Sequence, residues 1–173
     1  VVVAAGNNGD TRTGLDSPAI DPYVMAVGAV DSDSDEDRDE RPIPAWSGKG
    51  DGTRNPDVIA PGRSIASYRV PGSTIDNAAP SARYGDDLFR GSGTSQASAV
   101  TSGLAALVLS NYPNLTPDEV KHNIEIRAFA LEEASARRQG DGQVDGYVAE
   151  KSPKTGIPAQ PFTTAAGTGT GIA

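Results

Sequence analysis

Apolar residues along this chain fall in short unbroken runs. The first, "VVVAAGNNG", is apolar through Ala5 and then turns polar at Gly6, Asn7, Asn8 and Gly9. A second, "YVMAVGAV", covers Tyr23 to Val30, and a third, "NPDVIAPG", is bounded by Pro56 and by Pro61–Gly62. None of the three alternates, which predicts strands covered on both faces, as in a parallel sheet. From about Thr94 to Ser110 the pattern becomes helical and rich in small residues (Ala97, Ala99, Gly103, Ala105, Ala106), so the helix can lie close to the sheet. "NLTPDEV" then carries a helix start: Thr116 as N-cap, Pro117 at the first helical position and Glu119 closing a capping box. That helix is expected to reach about Leu131 or slightly beyond. From Lys151 on, Pro, Thr, Gly and Ala dominate without periodicity. The expected organisation is one α/β domain over 1–150 and a loop-rich extension over 151–173.

Composition narrows the class. At 173 residues the chain is long enough for a single hydrophobic core. Its net charge of -8 argues against nucleic acid or an anionic membrane as the main partner. Much of that charge is local: "DSDSDEDRDER", Asp31 to Arg41, holds seven acids and two arginines, and the remainder carries only -3. With no cysteine there is no disulfide framework, thiolate metal site or cysteine nucleophile. No apolar run reaches the roughly 18 residues of a membrane span. The opening "VVVAAG" reads as an interior strand rather than a signal peptide, so the chain is expected to be cut from something longer.

The candidate chemistry lies in "FRGSGTSQASAV", where Ser95 opens the small-residue helix. A helix start presents free N–H groups and the positive dipole end, both of which favour developing negative charge. Asn7 lies in the turn just past a predicted strand end. A helix N-cap would also explain Ser95, though not the surrounding glycines and small-residue helix, and taken alone Asn7 reads well as a turn asparagine.

Three stretches in order, "VVVAAGNNG", "SPAIDPYVMAVGAV" with "NPDVIAPG", and "GTSQASAVTSGLAALVL", resemble the subtilisin-like serine proteases (subtilases, peptidase family S8) over roughly residues 1 to 150. The resemblance implies a three-layer α/β fold with a mainly parallel sheet flanked by helices, incomplete at its N-terminus. It implies a serine endopeptidase in which Ser95 is the nucleophile and Asn7 the side-chain donor of the oxyanion hole. Val3, Ala4, Ala5 and Gly6 would form a wall of the substrate pocket; Asp16 falls near its base, giving a preference for basic side chains, or is a surface turn aspartate in "GLDSPA". Where the family commonly has Met and Pro after the serine, this chain has Gln96 and Ala99. Neither position performs the chemistry.

A serine nucleophile needs a base, normally a histidine held by a carboxylate. The one histidine, His122, follows Ser95 and is read as a solvated helix residue. In the family's chain order the acid and the base precede the serine, which puts both upstream of Val1. Asp57 is read as a structural hydrogen-bond acceptor at a strand start. The 173 residues by themselves are therefore expected to be inactive. The alternative is a non-catalytic subtilase-like module that binds peptides or serves structurally.

The remaining expectations are family-level. The partner is a protein or peptide substrate, the location secreted or cell envelope, and no cofactor is needed for the chemistry. Structural calcium is left open, since "SPAIDPYV" resembles a segment that supplies backbone carbonyls to calcium in some subtilases. Asp31, Asp33 and Asp35 have the spacing that starts an EF-hand, but Glu36 and Pro42 replace its required Gly and Glu, and the run reads as a solvated loop. "GTGTG" in the tail is no nucleotide loop, lacking a flanking strand and helix.

Overall fold

In the computed structural model, residues 1–32, 37, 38, 40–149 and 151–161 are described. Asp33, Asp35 and Glu36 of the acidic run lie outside them, as does the "GTGTG" tail. The three apolar runs form a parallel sheet in the order β1 (Val2–Ala4), β2 (Met25–Val30), β3 (Val58–Pro61). The register pairs Val3 with Ala26 and Ala29 with Ala60. Every residue of β2 is buried, because both of its faces are covered.

The two faces follow the strand's two-residue period. Met25, Val27, Ala29, Val58 and Ala60 point into the main core, formed with α2 (Thr94–Asn111) and α3 (Pro117–Glu125) through Ala97, Leu104, Val108, Val120 and Ile124. On the other face Ala5, Leu15, Ala19 and Ala26 form one cluster, and Val30, Ile59 and Leu131 another. That face is closed by loops and the single-turn helix α4 (Ala136–Gln139) rather than by long helices. The chain is thus an α/β fold with a parallel sheet, helices on one face and mainly loops on the other.

Two elements depart from expectation. Helix α3 has the predicted capping box, with Thr116 Oγ1 accepting from Glu119 N and Glu119 Oε2 accepting from Thr116 N, but it ends at Glu125. Beyond it Phe129 exchanges backbone hydrogen bonds with Gln143 (3.0 and 2.8 Å), which requires extended chain, and Leu131 is buried against β2 and β3. The second departure is an antiparallel arm between β3 and α2, with strand order β4 (Ile65–Tyr68), β6 (Leu88–Gly91), β5 (Arg83–Tyr84) and the short α1 (Thr74–Ala78) at its turn. Its strands are mostly exposed, so they leave no apolar run in the sequence. The buried Asp76 carboxylate holds it, accepting from Arg69, Arg83 and Gly72 N.

Residues 151–161 carry no helix or strand but are tied along α3. Lys154 N donates to Asn123 Oδ1, Gly156 N to Glu119 Oε1, and Gln160 N to Asp118 Oδ2. No helix among the described residues is long and apolar enough to cross a membrane.

Candidate active site

Two strand ends and one helix start meet at Ser95. At the end of β3, Gly62 O accepts from Gly93 N (2.8 Å), which fixes where α2 begins. Gly62 must be glycine here, since a Cβ would sit 2.6 Å from the Ala29 Cβ and 3.0 Å from Gly93 O. Thr94, fully buried, is the first residue of α2 and faces the end of β1. Its N–H and its hydroxyl both donate to Asn7 Oδ1 (2.9 and 3.0 Å), and its Oγ1 accepts from Gly6 N (3.2 Å). Thr94 thus welds the nucleophile helix to the strand that carries Asn7.

The consequence is two donors left without acceptors among the described residues. With Asn7 Oδ1 taken by Thr94, its Nδ2 amide has no acceptor among the described residues. The next N–H along, that of Ser95, also lacks one, because it falls in the first turn of the helix. Ser95 and Asn7 are both exposed, and Ser95 Oγ makes no hydrogen bond among the described residues. A free hydroxyl beside two free donors at a helix N-terminus is the arrangement that can receive an oxyanion formed by attack from that hydroxyl.

Gly6 adopts φ 102, a left-handed value that suits glycine, and a Cβ there would strike Asp16 Oδ2 at 2.2 Å. The Asp16 carboxylate therefore lies against Gly6, one residue from Asn7. It pairs with Arg12 (2.8 Å), whose side chain is 60% exposed, and accepts from Asn8 Nδ2 (3.3 Å). The carbonyls of Ala5 and Gly6 accept from Asp16 N and Gly48 N, so flanking loops hold this stretch rigid. Of the expected pocket wall, Val3, Ala4 and Gly6 are half-buried. Ala5 turns its methyl into the core with Leu15, Ala19 and Ala26, so it offers only backbone to a substrate.

His122 is half-buried in a cleft lined by Asp118, Glu125, Ile157 and Pro158, and has no hydrogen bond to Ser95. It is less solvated than its helix position suggests because the 157–160 chain lies over it. Asp57 accepts from Ala26 N (2.6 Å) and from Arg54, as a structural acceptor should. A large cleft, lined by residues such as Arg41, Ile43, Leu131 and Arg138, is on the sheet face away from α2 and contains neither Ser95 nor Asn7. Thr94 was not singled out from the sequence. A buried polar residue leaves no mark in a small-residue helix, although its place directly before the serine is a usable signal.

Comparison with known proteins gives the chain's family. The chain is 42% identical over 124 residues to serine protease AprX of Bacillus subtilis (70% of this chain, 28% of that protein). It is 38% identical over 154 residues to the halolysin-like extracellular serine protease Nep of Natrialba magadii (86% and 23%). The crystal structure of fervidolysin from Fervidobacterium pennivorans, described as a keratinolytic enzyme related to subtilisin, superimposes with TM-score 0.67 at 28% identity, covering 88% of this chain and 22% of that one. The chain thus spans less than a third of the length of each of these proteins. The model of the subtilase family, peptidase S8, matches residues 1–147, and the chain belongs to that family.

Proposed function

We propose that this chain is the nucleophile-bearing part of a serine endopeptidase. Ser95 Oγ attacks the scissile carbonyl, and Asn7 Nδ2 and the Ser95 N–H receive the oxyanion. A histidine outside these 173 residues takes the hydroxyl proton and returns it to the leaving amine, with an aspartate orienting it. Water then hydrolyses the acyl-enzyme. This chemistry asks for no cofactor. The observation that carries the reading is the free Ser95 hydroxyl beside two donors without acceptors. Among the described residues no base bonds to Ser95, and the chain by itself is expected to hydrolyse nothing.

The test is proteolysis by the full-length protein. Ser95→Ala should lower kcat by about 10⁶, the loss known for the nucleophile of a subtilisin and carried over from there. A full-length protein that binds peptides but leaves them uncut, with or without Ser95, would instead make this a binding module. The name of the Natrialba relative supports a secreted or cell-envelope location.

The Asp16 carboxylate against Gly6 supports a pocket that favours Lys or Arg before the scissile bond. Such a side chain has to displace Arg12 from an exposed pair, worth at most about 1 kcal/mol. Arg and Lys substrates should be preferred in a peptide panel, and Asp16→Asn should abolish the preference. Aromatic residues leading the panel would remove the idea.

A further inference from the structure

The turn from Ala19 to Val24, which feeds β2, curls its carbonyl oxygens inward. Arg54 Nε donates to Ala19 O (3.0 Å), and its Nη2 donates to Asp21 O and Val24 O (3.2 Å each). The same guanidinium forms a two-pronged pair with Asp57, at 2.6 and 2.9 Å. From the other side Lys121 Nζ donates to Pro22 O (3.1 Å) and Val24 O (3.0 Å), with Asp57 Oδ1 at 3.6 Å and Glu125 Oε1 at 3.7 Å. The carbonyls of residues 19, 21, 22 and 24 thus all meet side-chain cations. The Arg54 and Lys121 side chains are only 19% and 14% exposed.

Several carbonyls and a carboxylate around one centre is the donor set of a hard cation such as calcium, which takes six to eight oxygens. The residues present do not leave room for one: each oxygen that would bind it already accepts from Arg54 or Lys121. Among the described residues no group of three or more His, Asp and Glu gathers as an alternative metal site. We infer that the turn 19–24 is a cation nest filled by the protein's own Arg54 guanidinium, so that it needs no calcium, and that removing the guanidinium opens a calcium site there. A planar guanidinium suits the role because its donors point in fixed directions, and here it meets three carbonyls and both carboxylate oxygens, with the two N–H groups of Nη2 shared among three of them.

The experiment is amide hydrogen exchange over residues 19–24 in the full-length protein, in calcium and in chelator, with calcium stoichiometry measured alongside. The wild-type turn should exchange at the same rate in both. Arg54→Ser should exchange at least about tenfold faster in chelator. It should regain protection in millimolar calcium, the range of weak sites with few charged ligands. It should also bind one more ion per chain than wild type, an ion that a further Asp57→Asn change removes. Calcium-dependent protection of the wild-type turn would overturn the inference, and so would an R54S turn that stays protected without calcium or gains nothing from it. If R54S does not fold, the wild-type comparison still decides, and Arg54→Lys, which keeps one cation with fewer donors, should fall between the two.

Discussion

Thr94 joins the two halves of the site through three hydrogen bonds, and its hydroxyl takes part in two of them. Replacing it by valine keeps the shape but leaves Gly6 N–H unpaired and Asn7 held by one donor. The expected loss is about tenfold in kcat with KM little changed, since the carboxamide matters most as charge develops. Asn7→Leu should cost about 10²–10³ in kcat, the loss known for an oxyanion-hole asparagine in a subtilisin and carried over from there. Steady-state kinetics of the full-length variants on one peptide substrate checks both. Ser95 and Asn7 stood out in the sequence only through the three ordered motifs, since a serine at a helix start and an asparagine in a turn each have an ordinary local reading. Thr94 and Arg54 were not legible, because most of their partners, Gly6 and Asn7 for one and the 19–24 carbonyls for the other, lie far away along the chain. Such partners leave no local pattern.

At the scale of elements, α3 carries charge effects of opposite sign. Burial, with Asp57 and Asp141 nearby, pushes the Glu125 carboxyl up to about 7, and Lys121 only partly opposes this. A folded value above the unfolded 4.5 means that the native state holds the extra proton. Stability should therefore fall as pH rises from about 4.5 to about 7. Glu125→Gln should flatten that slope in thermal melts between these pH values. Glu119 and Asp118 behave in the reverse sense. Backbone hydrogen bonds from Thr116 and Gly156 lower Glu119, and the Gln160 side-chain amide followed by its backbone N–H lowers Asp118. Their contribution is present above the ordinary carboxylate range and is lost as pH falls through it. Because both hold the 151–161 segment, its amide protection should be lost on acidification below about pH 4, before that of β2. The Thr116 cap was legible in the sequence, since capping is local, and Thr116→Ala should cost about 1 kcal/mol in denaturant unfolding. The end of α3 was not legible, because the backbone pairing of Phe129 with Gln143 decides it.

Over the whole molecule, the central sheet was legible because burial on both faces writes unbroken apolar runs into the sequence. The antiparallel arm was hidden because it is held by a buried charge, Asp76, rather than by apolar burial. β1 pairs only with β2 among the described residues, and Leu107 of α2 is 59% exposed. A free strand edge and an uncovered apolar helix face are where further polypeptide can pack. Packing there is consistent with a base supplied from outside these residues. The most direct test of Ser95 as a nucleophile is a fluorophosphonate probe, which reacts only with an activated serine, followed by mass mapping of the labelled full-length protein. The account predicts a single adduct on Ser95 that disappears in Ser95→Ala and fails to form on the isolated 173 residues. An intact full-length protein that takes no label at Ser95, while a control serine protease is fully labelled, would contradict it.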